Sequence, residues 1–193
     1  MITNDTAEDV PVVEKIKEVK KEPVKEEVKK EIPKEKPKLS QEILNAGKKS
    51  PGWLHDTNKQ MLYNFVKPNM KLIMEFGTWL GMSARFMADI AKDATIICVD
   101  HWKSGVSIGE DTTDPEFKLV IQNNYDLYLN FNWEYKDRFK PMRMDGKKAV
   151  KVLYDLGLQP DFIYLDMDHE YETVYEDLHL ILKYFPNVTI VGD

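Results

Sequence analysis

Five short apolar runs punctuate the chain beyond residue 70, and each of the first four is followed by a stretch with helical spacing. The runs are residues 72–76, 95–100, 141–144, 161–166 and 187–193. They show little internal alternation, which fits strands buried on both faces. Between them apolar residues recur at three- and four-residue steps. Phe86, Met87 and Ile90 mark a helix over 83–92. Phe117, Val120, Ile121, Tyr125, Leu127 and Tyr128 mark one over 116–131. A third spans 146–156, stopped by Gly157 and Pro160. A fourth spans 171–185, with Val174, Leu178, Ile181 and Leu182 as its inner stripe. Alternating strands and helices of this kind predict a doubly wound, parallel α/β sheet with ligands beyond the carboxyl ends of its strands.

Upstream of the sheet the pattern predicts two shorter helices. One opens at Ser40 and ends at Gly47. The other is capped by Asp56 and runs through Val66, with Met61, Leu62, Phe65 and Val66 inward and Pro68 beyond it. Trp53 reads as an apolar anchor between them. Residues 103–115 are a polar loop, long for a connection after a strand, and long loops are often lids or binding loops.

Residues 1–38 differ in kind. They are Lys, Glu, Pro and Val in near-alternation, without aromatics or glycine. Such a segment buries too little apolar surface to offset its ordering entropy. The expected organisation is a disordered tail over 1–38, acting as a tether or a plain spacer, and one domain over 39–193. Residues 1–40 hold ten charges of each sign, so the domain carries the whole net charge of −6. An acidic domain argues against nucleic-acid backbones as partners. The single cysteine, Cys98, lies inside an apolar run, and no run is long enough to span a bilayer. A soluble, cytoplasmic protein with a small-molecule partner and no membrane is expected.

Chemistry gathers at the strand ends. Glu75, Asp100, Asp166 and Asp193 each close a predicted strand, which makes them one candidate site. The turn after the first strand, Gly77-Thr78-Trp79-Leu80-Gly81, is not the dinucleotide fingerprint, because Trp79 takes the place of the middle glycine. Such a turn exposes backbone N–H groups to a carboxylate or amino-acid moiety, or is a plain strand–turn–helix connection. Asp100 lies 23 residues after Gly77, where an acid accepts both hydroxyls of a ribose or caps a turn. The densest polar cluster is Asp166-Met167-Asp168-His169-Glu170-Tyr171. Asp166 and His169 suit a hard metal or a general base, with Asp168 as an alternative helix cap. Asp177, four residues after Thr173, reads as structural or as a support behind the site residues. His55 and His101 read as packing residues, and the four tryptophans as core or rim.

The segments Glu75–Ser83, Asp100-His101-Trp102, Asp166-x-x-His169-x-Tyr171 and Val191-Gly192-Asp193 resemble class I S-adenosylmethionine-dependent methyltransferases, in particular the catechol O-methyltransferase-like and cephalosporin-hydroxylase-like group. The resemblance covers about residues 50–193. It implies a Rossmann-like sheet of order 3-2-1-4-5. It implies that Glu75, Gly77, Gly81 and Ser83 surround the methionine part of S-adenosylmethionine, that Asp100 takes the ribose, and that His101 and Asp145 flank the adenine. It further implies magnesium at Asp166 and Asp193. In the magnesium-dependent members a third ligand and further strands follow, so the expectation is a chain shorter than its domain, with a last strand exposed as an edge through which two copies pair. The expected activity is methyl transfer to an oxygen nucleophile, with Asp166 and His169 catalytic. A non-catalytic nucleoside- or partner-binding domain and an NAD-dependent oxidoreductase are the alternatives.

Overall fold

The five apolar runs pair side by side, all parallel, in the computed structural model, which describes residues 33–103 and 113–192. The strands are β1 (Leu72–Phe76), β2 (Thr95–Asp100), β3 (Phe139–Arg143), β4 (Phe162–Leu165) and β5 (Thr189–Gly192), in the order β3-β2-β1-β4-β5. β1 is central, with Glu75 in register with Cys98 on one side and Tyr164 on the other.

Strand parity divides the core. Ile73, Ile96, Cys98, Phe139, Phe162 and Tyr164 face one side. They pack under α2 (Asp56–Phe65), α3 (Met82–Ile90) and α5 (Asn124–Phe131). Met74, Phe76, Ile97, Val99, Ile163 and Leu165 face the other, under α6 (Gly146–Asp155) and α7 (Tyr171–Tyr184). Full burial of a Leu, Ile or Phe side chain is worth about 1.5–3 kcal/mol, so these two layers supply most of the folding drive. A smaller cluster of Ala46, Leu80, Val120 and Leu127 binds α1 (Gln41–Lys49) to α4 (Pro115–Gln122) and α5.

Several expected boundaries move, each for a local reason. Gly47 does not end α1. It lies inside the helix, where a Cβ would stand 2.8 Å from Leu127, so it is a glycine of close packing. Ser40 is the cap, accepting from the Ile43 amide. Asp56 is the first residue of α2 rather than its cap and pairs with Lys59 at 2.9 Å. Phe65 and Leu182 face solvent. The helix expected over 116–131 is two helices, broken where the Asn123 side chain takes the Leu119 carbonyl. Pro141 lies inside β3, which is an edge strand where a missing N–H is tolerated.

β5 pairs with β4 and is the other edge. The Pro37 carbonyl accepts from Asn130 at 3.0 Å, so the end of the segment assigned to the tail touches the domain. Residues 1–32 of that tail, residues 104–112 of the loop and Asp193 lie outside the described residues. No helix among the described residues is long and apolar enough to cross a membrane.

Candidate functional site

A cleft of about 840 Å³ opens over the carboxyl ends of β1, β2, β3 and β4. This lies within the usual size of a small-molecule site. Its floor is the turn after β1. Gly77, at φ +90°, donates to the Val99 carbonyl at 2.9 Å, and the Asp166 backbone crosses so close that a Cβ on Gly77 would overlap its carbonyl group. Gly81, at φ +80°, is the cap residue just before α3 but lies against the Asn132 amide rather than on the cleft wall. Ser83 does not open the helix as expected. α3 begins one residue earlier, and the Ser83 hydroxyl is instead committed to Glu75.

Glu75 is fully buried beneath this floor. Its Oε1 accepts from Ser83, and its Oε2 has no hydrogen-bond partner. Burial pushes its carboxyl up to about 8, and the Asp166 and Asp100 carboxylates add to the rise, against the pull of the Ser83 and Thr78 hydroxyls. A cationic group arriving above Glu75 would favour its ionised form, so its binding there would be coupled to release of the proton.

Asp100 does more than border the cleft. Its Oδ2 accepts the Trp79 amide at 2.8 Å and its Oδ1 the Trp102 amide at 2.7 Å. The Trp102 indole N–H returns a bond to the Trp79 carbonyl at 2.8 Å. Trp79 and Trp102 both have left-handed backbones, at φ 49° and 40°, which are costly for bulky side chains. The carboxylate therefore clasps two strained loops. Trp102 is core. Trp79 stacks on Trp53 at 5.9 Å, and Trp53, 54% exposed, forms the rim of the cleft rather than an anchor beneath it.

His101 lines the cleft, its Nδ1 accepting from the Lys103 amide at 3.0 Å. His55 also lines it and is no packing residue. Asp145 caps α6 through the Lys148 amide at 3.1 Å. Asp166 and His169 face the cleft together, with Oδ1 and Nε2 3.9 Å apart. Asp168 caps a turn at the Glu170 amide, not the helix itself. Asp193, the other expected metal ligand, lies outside the described residues. Among the described residues no group of three or more His, Cys, Asp or Glu could hold a metal ion. The sequence reading kept Asp177 as structural or as a support behind the site and passed over Lys147; both line the cleft.

The profile of a family described as "Methyltransferase domain" matches residues 74–193. No curated protein matches the chain. Among solved structures, the SAM-bound O-methyltransferase TomG from Streptomyces achromogenes, involved in tomaymycin synthesis, superposes with a TM-score of 0.55 at 14% identity, over 81% of this chain and 66% of its own. Cofactor-bound Rv0187 from MTB gives 0.50 at 16% identity, over 78% and 62%. The Methanococcus jannaschii fibrillarin pre-rRNA processing protein gives 0.44 at 18%, over 66% and 45%. The chain thus spans less than two thirds of the length of the last two. At these identities the TomG and Rv0187 likenesses show the fold.

Proposed function

The chain belongs to the methyltransferase-domain family, and on that premise we propose that it moves a methyl group from S-adenosylmethionine to an oxygen nucleophile of a small molecule. The observation that carries the proposal is the buried, hydrogen-bonded Glu75–Ser83 pair beneath a cleft that Asp100 borders. In this reading Glu75, Gly77 and Ser83 receive the amino-acid end of the cofactor, Asp100 the ribose, and His101 and Asp145 the adenine.

When bound, S-adenosylmethionine supplies an electrophilic methyl carbon on a sulfonium. The chain's own residues hold the acceptor oxygen in line with that carbon, and such positioning supplies much of the rate. The His169 imidazole would take the acceptor's hydroxyl proton and so free that oxygen as the nucleophile toward the methyl group that the cofactor would supply. Asp166, with a carboxylate oxygen 3.9 Å from the ring nitrogen, would favour the positive charge that results.

Calorimetry tests the first step. S-adenosylhomocysteine should bind, and Asp100→Ala should weaken it at least ten-fold, since hydrogen bonds to a charged group are worth about 1.5–3 kcal/mol. The same substitution should lower the melting temperature, because it unclasps Trp79 and Trp102. Tight NADH binding with no response to either adenosyl compound would sink the reading in favour of an oxidoreductase. Cofactor binding without turnover of any hydroxyl acceptor would leave a non-catalytic domain.

A further inference from the structure

Beneath the cleft floor lies a buried polar row that this scheme uses only in part. Cys98, Glu75 and Tyr164 stand side by side in register across β2, β1 and β4. Ser83 from α3, Thr78 from the turn after β1 and Tyr128 from α5 bring their hydroxyls to the same row. Several of these groups are committed. Ser83 donates to Glu75 Oε1, the Tyr164 hydroxyl accepts from the Asn58 amide at 3.3 Å, and the Cys98 thiol turns to the Ile96 carbonyl at 3.8 Å. Three atoms are not. Glu75 Oε2, Thr78 Oγ1 and the Tyr128 hydroxyl have no hydrogen-bond partner, although none of these residues is more than 2% exposed.

Buried hydroxyls left unpaired cost stability, and valine and phenylalanine would fill the same shapes without that cost. A hydroxyl can rotate, however, and donate once an acceptor appears. Thr78 lies close enough to draw the Glu75 carboxyl downward and acts on Cys98 as well. Tyr128 lies against Cys98 and feels the charge of Glu75. The other charged groups around Glu75 are Arg85 on α3, which favours its ionised form, and Asp100 and Asp166 at the strand ends, which oppose it. Burial keeps the proton on Glu75 near neutral pH. In that state Oε2 makes no call on either hydroxyl. Once ionised, the carboxylate has two oxygens to satisfy, and Ser83 serves only one.

We propose that Thr78 and Tyr128 are positioning residues for cofactor binding, spare donors that turn to the Glu75 carboxylate when the cofactor's ammonium group arrives and the Glu75 proton leaves to solvent. The inference rests on the methyltransferase reading, in which Glu75 receives the amino-acid end of the cofactor. The two hydroxyls touch no ligand. They act through Glu75, by making its ionised form tolerable inside the core.

The test titrates S-adenosylhomocysteine into the full chain at pH 7 and pH 9. Thr78→Val should weaken binding about ten-fold at pH 7, the equivalent of about one unit on Glu75. The gap should shrink to about two-fold by pH 9, where Glu75 is ionised before the ligand arrives and draws on the same donors in both states. Thr78→Ser keeps the hydroxyl and should restore the affinity. Tyr128→Phe should follow the same pH pattern with a smaller loss of about three-fold, and it decides the matter if Thr78→Val does not fold. Neither substitution should lower the melting temperature, since each removes an idle buried hydroxyl. Affinities within two-fold of the unaltered protein at pH 7 in both variants would overturn the proposal. So would a loss of equal size at both pH values, a Thr78→Ser variant as weak as Thr78→Val, or a melting temperature several degrees lower. Each of these leaves the methyltransferase reading intact. Failure of the unaltered protein to bind S-adenosylhomocysteine would instead remove that reading, and the spare donors with it.

Discussion

Gly77→Ala is expected to abolish the soluble fold. At φ +90° an alanine is strained by its backbone alone, at about 1–2 kcal/mol. The larger cost is steric. The new methyl would meet the carbonyl carbon and oxygen of Asp166, which are backbone atoms fixed by the Asp166 amide bond to the Phe76 carbonyl at 2.8 Å. Relief requires β1 and β4 to part at their carboxyl ends, where Phe76 is in register with Leu165. A loss above 4–5 kcal/mol falls in the range of exceptional substitutions and rivals the whole stability of many domains. Gly146→Ala is the control. Its methyl also meets a neighbour, but that neighbour is the Met167 thioether, which can rotate aside. Soluble yield and urea unfolding of the two variants check the contrast: similar, mild losses in both would show that the crossing at Gly77 is looser than the structure has it.

Raising the pH from 5 to 8 is expected to destabilise the native protein through Glu75. The carboxyl titrates near the ordinary 4.5 when unfolded and is pushed up to about 8 when folded. Below 4.5 both states hold the proton and the full stability is present. Between 4.5 and 8 the unfolded chain releases it and the folded chain does not, so stability falls across that window and levels off above it. At about 1.36 kcal/mol per unit the fall is on the order of 4–5 kcal/mol. Glu75→Gln should flatten the profile, as measured by urea midpoints at pH 5 and 8. A midpoint in the unaltered protein that does not move would show that Glu75 is ionised in place. Under the proposed function, S-adenosylmethionine binding near neutral pH should release a proton from Glu75, visible as a dependence of the calorimetric heat on the buffer.

Much of this was readable beforehand. The bounds of β1 and β2 agree with the sequence reading, because each is a continuous apolar run closed by a turn or an acid. Of the strand-end acids, Asp100 and Asp166 line one cleft and Glu75 lies buried beneath it, because a parallel sheet brings all its carboxyl ends to one edge. What escaped depends on geometry across elements. The fate of Gly47 is set by how closely α1 approaches α5, and that of Asp177 by how α6 and α7 lie beside each other. Neither leaves a periodic trace. Ser83 shows a third case: a small polar residue near a helix start suggests a cap, and only the buried carboxyl below it reveals the other claim on its hydroxyl.

Cys98 sits at the middle of β2, fully buried, in register with Glu75, and burial raises its thiol well above the ordinary range. It is the chain's one sulfhydryl. An alkylating reagent therefore has a single target, and only molecules whose sheet has opened at its centre can react. The labelling rate in native buffer becomes a clock for that opening, read by mass without any introduced probe. A ligand seated above Glu75 should slow the clock in proportion to how far it holds β1 against β2, which separates binding that tightens the sheet from binding that merely fills the cleft.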